Sequence, residues 1–318
     1  MKRFCLLLLL CAFTFRVETA EETKIQEIIS VDLVDLYFTA TDQKGNFIND
    51  LKPDEITVSE DGVPQKIQRF GAFEGERNEI PILMALVVDN SASMDDKIDE
   101  ARKLDVARDA GLGLLKELGP LDRAMLVQFS DTLKVSELTA NKNTIAEGLN
   151  KMKPRWWQTA LFDALISTIK DLNRTSGRKI LLLCSDGMDN MSATKVDEIY
   201  DLAARTPELT LIVLGTVSDR PAMGMHGKVQ SMPSLPMFHG KEVLQALADK
   251  TAGYAFFPKN GKDAEKVTEL LRTFVRSQYY LAYRSSNEKI DGSWRRIQVT
   301  CKRKDAKIHY RTGYFAAS

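Results

Sequence analysis

The sequence predicts a doubly wound, mainly parallel α/β sheet inserted into a small antiparallel β-sandwich built from the N- and C-terminal segments. Three observations predict it. Both ends of the chain alternate apolar and polar residues, the middle carries short apolar runs without alternation, and amphipathic helical patterns separate those runs. Alternation marks a strand with one wet face, whereas unbroken aliphatic strands between helices mark a parallel sheet covered on both sides. A chain of 318 residues has room for such a core.

Residues 1–20 read as a signal peptide. Lys2 and Arg3 precede an apolar run from Phe4 to Phe15, and polar residues follow. That run is shorter than the roughly 20 residues a membrane helix needs. No other segment could span a bilayer, so no stable membrane span is expected after cleavage at Ala20. The protein is expected to be exported, to a periplasm, a cell surface or the medium. Cys5 and Cys11 leave with the signal, and Cys184 and Cys301 stay, in "KILLLCSD" and "RIQVTCKR". They read as two buried thiols rather than a disulfide framework, which suits a bacterial envelope. With 44 basic and 44 acidic residues the chain has no net field to hold nucleic acid or an anionic membrane surface.

Residues 21–79 form the N-terminal part of the sandwich. "VDLVDLYFTATD" places Val34, Leu36, Phe38 and Ala40 on one face, "KGN" supplies a turn, and "ITVSEDGVPQKI" reads as two strands joined at Asp61-Gly62. Residues 80–278 form the α/β domain. Its strands are "IPILMALVV", "RAMLVQFS", "RKILLLCS", "LTLIVLGTV" and "GYAFFP"; its helices are expected at 97–118, 144–152, 161–173, 194–204, 241–251 and 263–276. Between them, residues 218–240 hold prolines and glycines with neither period and read as a long loop. The Met223, Met225, His226, Met232, Met237 and His239 in it are soft-metal ligand types at a spacing that matches no site. Residues 279–318, with "QYYLAYRSS", "WRRIQVTCKRK" and "KIHYRTGYF", complete the sandwich. Three strands at each end are too few for two independent sandwiches, so they are expected to pair with each other.

The stretch "ALVVDNSASMDD" ends a buried strand in Asp89, Ser91 and Ser93. A second strand end gives "LLLCSDGMDN" with Asp186, and Thr159 precedes a helix in "RWWQTALFDAL". In an open α/β sheet, ligands bind beyond the carboxyl ends of the strands. Two carboxylates and three hydroxyls without His or Cys are a hard-oxygen set, suited to Mg²⁺, with Mn²⁺ or Ca²⁺ as alternatives. Each residue also has a structural reading. Ser93 or Asp95 could cap the helix beginning near Lys97, Thr159 could cap its own helix, and Asp186 could open a turn with Gly187.

"DNSASM", with Thr159 in "TALFDAL" and Asp186 in "SDGMDN", resembles the metal-ion-dependent adhesion site of von Willebrand factor type A domains. The likeness spans about residues 80–280, and the flanking β segments resemble those of bacterial secreted proteins built around such a domain. It implies that Ser91, Ser93 and Thr159 bind a metal directly, and Asp89 and Asp186 directly or through water. It further implies a non-enzymatic binding or adhesion module, whose metal takes its last ligand from an Asp or Glu of a protein partner. Trp156 and Trp157 are candidate partner contacts beside the metal. "MDD" (Met94–Asp96) resembles the adjacent calcium site of integrin β chains, but its acidic pair arrives one residue early, and charged residues on a solvated helix explain it.

Two other function classes remain open at this point. One is a structural envelope protein with an empty metal site. The other is a magnesium-dependent phosphoester hydrolase using Asp89 as nucleophile or base. Against hydrolysis, the chain has no "GxxxxGK[ST]" or "GxSxG", and His226, His239 and His309 fall in loop-like or terminal contexts.

Overall fold

The protein is described by a computed structural model covering residues 33–72, 81–155, 158–206, 208–217 and 240–316. The signal segment, Trp156, Trp157 and residues 218–239 of the long loop lie outside the described residues. β1 (Leu33–Thr41) comes first, followed by β2 (Ile56–Glu60) and β3 (Val63–Gln65). Between β2 and β3, Asp61 and Gly62 have φ of 48° and 84°. Positive φ at both central residues is what a tight hairpin of this twist requires, and Asp-Gly supplies it at low cost. β4 (Ile67–Ala72) ends the N-terminal segment.

The α/β region then runs β5 (Ile82–Asp89), β6 (Lys97–Ile98), β7 (Ala101–Arg102), α1 (Lys103–Glu117), β8 (Arg123–Phe129), β9 (Leu133–Val135) and α2 (Lys142–Asn150). It continues through α3 (Leu161–Leu172), β10 (Arg178–Ser185), α4 (Val196–Ala204), β11 (Leu209–Gly215), α5 (Gly240–Lys250), β12 (Ala255–Phe256) and α6 (Gly261–Arg276). β13 (Gln278–Arg284), β14 (Trp294–Cys301), β15 (Lys307–Tyr310) and β16 (Gly313–Phe315) finish the described chain.

The central sheet has the order β12-β11-β10-β5-β8-β9 and is parallel except for β9. Every residue of β5, β10 and β11 is buried, which is why these segments show no alternation. Along β5, Met84, Leu86 and Val88 pack with Leu104, Leu114, Leu149 and Leu271 of α1, α2 and α6. Leu83, Ala85 and Val87 pack with Leu165, Ile199 and Leu244 of α3, α4 and α5. Each such large aliphatic side chain contributes roughly 1.5–3 kcal/mol by leaving water. The chain leaves β5 for β8 on one side and later returns to β10 on the other. The carboxyl ends of β5 and β10 therefore flank the switch point of the sheet.

The two end segments pair as expected for the fold class. Sheets β15-β1-β13-β4 and β16-β14-β2-β3 enclose one core, with Leu36, Phe38, Leu281 and Tyr283 packed with Ile56, Val58, Ile297 and Val299. Consecutive strands do not simply neighbour each other here: β13, β14 and β15 alternate between the two sheets. One expectation needs correction. Tyr37 and Thr39, on the face of β1 that alternation assigns to solvent, are buried. The Arg178 guanidinium lies 5.7 Å from the Tyr37 ring centre, and the Thr39 hydroxyl is 3.1 Å from that of Tyr254. The sandwich thus rests its back on the α/β region. On another side, Arg311 donates to the carbonyls of Ala203, Ala204 and Thr206, each at 3.2 Å, and so caps the end of α4.

The first helix is shorter than its pattern. It begins at Lys103, not Lys97, because residues 97–102 form the β6-β7 ribbon around Asp99, whose φ is 59°. Ser93 and Asp95 therefore do not cap it; Arg102 stands at its N-cap position. Cys184 is buried and Cys301 half-buried, both as free thiols. Among the described residues no helix is long and apolar enough to cross a membrane.

Candidate metal centre

Asp89 is the last residue of β5 and is fully buried. Its Oδ1 accepts from the Ser91 amide at 2.8 Å, and its Oδ2 from the Ser185 hydroxyl at 3.0 Å. Ser185 ends the neighbouring β10, and its Oγ in turn accepts from the Gly187 amide at 3.1 Å. After Asp89, the Asn90 amide donates to the Phe129 carbonyl at 2.9 Å and carries the β5 ladder one residue further. The chain then enters a 3₁₀ turn, Ala92–Asp95. Met94 anchors that turn: its side chain is buried, and its sulfur accepts from Thr216 Oγ1 at 3.5 Å. With the turn fixed, Ser91 Oγ and Ser93 Oγ lie 3.1 Å apart.

Asp186 follows β10 directly. Its Oδ1 accepts from the Met188 amide at 3.2 Å, the turn that its sequence suggested, while Oδ2 lies 3.9 Å from the Lys103 ammonium. Gly187 makes this turn with φ of 79° and lies against the first residue of α5: a Cβ on Gly187 would be 2.5 Å from the Gly240 carbonyl oxygen. Only glycine combines that conformation with that approach.

Thr159 is buried on the adjoining loop. Its amide donates to Asn190 Oδ1 at 2.8 Å, and the Asn190 amide returns a bond to the Thr159 carbonyl at 3.0 Å. The Ala160 amide donates to the Ser130 carbonyl at 2.9 Å, and the Arg155 amide to the Asn90 carbonyl at 2.6 Å. Thr159 does not cap α3, where Ala160 occupies the N-cap. The first turn is served instead by Asp189, whose Oδ2 accepts from the Phe162 amide at 2.9 Å. Asp163 answers from α3 by accepting from the Ala193 and Thr194 amides at 3.0 and 2.9 Å. The loops after β5, before α3 and after β10 are thereby tied to one another.

Burial pushes the Asp89 carboxyl up to about 7, and the charge of Asp186 pushes in the same direction, against the hydrogen bonds from Ser91 and Ser185. A desolvated carboxylate at the end of β5, with the charge of a second carboxylate beyond β10 bearing on it, favours the arrival of a cation. The donor chemistry fits a hard divalent ion. Cis ligands of an octahedral ion with ~2.1 Å bonds lie about 3.0 Å apart, and the Ser91 and Ser93 hydroxyls stand 3.1 Å apart. No group of three or more His, Cys, Asp or Glu that could hold a metal occurs among the described residues. This set has two carboxylates and draws its other oxygens from hydroxyls.

Residues 84–188, which contain all five candidate oxygens, match the family model of the von Willebrand factor type A domain. The chain carries a von Willebrand factor type A domain. Among solved structures, this chain is similar to a von Willebrand factor type A protein from Catenulispora acidiphila, at 12% identity over 84% of this chain and 75% of that one, with a TM-score of 0.48. It is similar to BatB from Bacteroides thetaiotaomicron, at 16% identity over 62% of this chain and 100% of that one, with a TM-score of 0.46. It is also similar to the PilB minor pilin from Streptococcus sanguinis, at 13% identity over 64% and 63%, with a TM-score of 0.45. No curated protein matches the chain. Sequence reasoning about the von Willebrand factor type A domain missed Ser185, Asn190, Asp189 and Lys103. The first three stand inside the quoted "SDGMDN" and were readable as polar residues at and just beyond a strand end; Lys103 sat within an expected solvated helix and gave no signal.

Proposed function

We propose that the protein is an exported, non-enzymatic binding module that uses a divalent cation to capture an acidic group of a protein partner. Asp89, Ser91, Ser93, Thr159 and Asp186 would hold the ion, with Mg²⁺ as the first choice and Mn²⁺ or Ca²⁺ as alternatives. When bound, the ion supplies a positive centre that is only partly neutralised, because three of its five protein ligands are uncharged. The chain's own residues do the positioning: Ser185 orients Asp89, Asn190 holds the Thr159 loop, and Gly187 makes the turn in which Asp186 accepts from the Met188 amide. One observation carries the reading, the fully buried Asp89 with the charge of Asp186 bearing on it. Without a cation, the buried Asp89 carboxylate opposes folding whenever it is ionised. In this reading residues 1–20 act as the export signal, residues 21–79 and 279–318 form the sandwich, residues 80–278 form the binding domain, and Trp156 and Trp157 contact the partner.

One observation favours a second reading, a structural envelope protein without metal: the Lys103 ammonium already lies 3.9 Å from Asp186. Titration calorimetry with Mg²⁺ and Mn²⁺ separates the two. The binding module gives saturable heats that disappear in Asp89→Ala and Asp186→Ala, and its capture of a partner from envelope extract stops in excess chelator. Absence of heat with both ions in the folded wild type leaves the structural reading.

A further inference from the structure

Lys103 opens α1, and its side chain is 2% exposed, a burial that lysine tolerates only when paired. Both of its partners are carboxylates. Nζ lies 3.6 Å from Asp96 Oδ2 and 3.9 Å from Asp186 Oδ2, and the Lys103 amide donates to the Asp96 carbonyl at 2.9 Å. The two partners differ in setting. The Asp96 side chain is 66% exposed, at the rim, whereas that of Asp186 is 10% exposed, at the candidate centre. A tethered positive charge thus bridges an inner carboxylate and an outer one. The β6-β7 ribbon creates this arrangement, because it delays α1 until Lys103 and folds the chain back so that Asp96 meets the first residue of the helix.

We propose that Lys103 is a built-in counter-ion for Asp186 that exchanges with the divalent cation: the ammonium holds Asp186 in the metal-free protein and moves wholly onto Asp96 when the ion binds. This rests on the metal-binding reading of the site. An ammonium and a divalent ion on one carboxylate repel each other strongly in a poorly solvated setting. The lysine stem is flexible, and its second partner is already within ion-pair distance, so the exchange needs a rotation of the head group and no rearrangement of the fold. Metal affinity is then set by the difference between two cations on Asp186, and the metal-free protein stays folded because its inner carboxylate is never unpaired.

The test is calorimetric titration of Mg²⁺ and Mn²⁺ into the full chain as wild type, Lys103→Met, Asp96→Asn and the double variant. Exchange predicts that Lys103→Met binds either ion roughly tenfold tighter or better. It predicts that Asp96→Asn binds more weakly, and that this weakening vanishes once Lys103 is methionine. Such non-additivity is what separates exchange from the mere loss of a nearby negative charge. Equal affinity in wild type and Lys103→Met, or an Asp96 effect of the same size in both backgrounds, overturns the exchange and leaves the metal reading standing. Binding by none of the four folded proteins overturns both. Should Lys103→Met fail to fold by circular dichroism, Lys103→Gln takes its place in the same cycle. Asp96→Asn, at an exposed carboxylate, gives a reading of its own: unchanged affinity there overturns the exchange.

Discussion

The Ser185 hydroxyl donates to Asp89 Oδ2 at 3.0 Å, joining the last residues of two adjacent parallel strands. Both side chains are fully buried, so water cannot replace the bond. The same oxygen accepts from the Gly187 amide at 3.1 Å, so it links the Asp89 and Asp186 loops. Ser185→Ala should destabilise the protein by ~1–3 kcal/mol in urea unfolding, since it leaves a buried carboxylate oxygen and a buried amide without their partner. On the proposed metal reading it should also weaken Mg²⁺ binding by roughly 10–100-fold, the usual cost of losing a group that orients a metal ligand. A variant that unfolds at the wild-type midpoint and binds Mg²⁺ like wild type would contradict this account of Ser185.

Asp89→Asn should separate stability from binding. In the wild type, the Asp89 carboxyl is pushed up to about 7, so above that pH it carries a charge in a desolvated place. A carboxyl whose folded value is raised binds more protons folded than unfolded; its contribution is present at low pH and lost as pH rises through about 7. At pH 8 in chelator, asparagine removes that penalty, and the variant should be more stable than wild type by ~2–4 kcal/mol. On the proposed metal reading, the order should narrow or reverse in millimolar Mg²⁺, because only the wild type would gain stability from the ion. Thermal melts with and without Mg²⁺ measure both effects. A variant less stable than wild type in chelator, or equally stabilised by Mg²⁺, would contradict the reading.

Gly187→Ala should damage the centre without touching a charge. The residue has φ of 79°, and a new Cβ would be 2.5 Å from the Gly240 carbonyl oxygen, which belongs to the first residue of α5 and cannot rotate away. The backbone conformation alone costs ~1–3 kcal/mol for a residue with a Cβ. Relief of the clash must then displace either α5 or Asp186. The expected result is a lowered melting temperature together with weakened Mg²⁺ binding, whereas Gly45→Ala, where φ is 84° and no atom lies within 4 Å, should lower stability and leave Mg²⁺ affinity unchanged.

How far the sequence carried can be argued from individual residues. Unbroken aliphatic runs located β5, β10 and β11 because burial on both faces leaves no polar alternation to be seen. Asp61-Gly62 located its hairpin because the turn demands positive φ. Asp89, Ser91, Ser93 and Asp186 were legible through their positions at strand ends. Local pattern failed where a tertiary partner decides the outcome. Tyr37 looked wet, but its ring packs near Arg178 from a distant strand. "DDKIDEARK" looked like the solvated first turns of a helix, yet Ile98 is buried and Asp99 reverses the chain, which delays α1 and sends Lys103 inward. Strand pairing was equally hidden, since nothing within "QYYLAYRSS" or "WRRIQVTCKRK" says that they join different sheets.

His309 gives the fold a pH dependence of its own. It was read from sequence as a residue of a terminal context, but it lies in β15 with Nε2 2.7 Å from the Gly253 carbonyl oxygen and its ring 4.4 Å from that of Tyr254. A carbonyl only accepts, so Nε2 carries a proton. Burial holds its pKa below the ordinary 6.5, partly opposed by the Gly253 hydrogen bond and by Asp249, with Lys307 adding to the lowering. Below about 6.5 the unfolded chain therefore takes up the proton first. The stability contributed by the neutral imidazole is complete above that pH and is lost as pH falls through the lower folded value, with a slope of at most ~1.4 kcal/mol per pH unit. Asp89 titrates nearby with the opposite sign, so the informative quantity is the difference between wild type and His309→Gln, measured in chelator by urea unfolding between pH 5 and 8. That difference should be constant above pH 7 and should shift in favour of the variant as the solution is acidified. A difference that does not change with pH would mean that His309 stays uncharged in both states or is equally protonated in both, and would contradict the burial of its ring as the source of the effect.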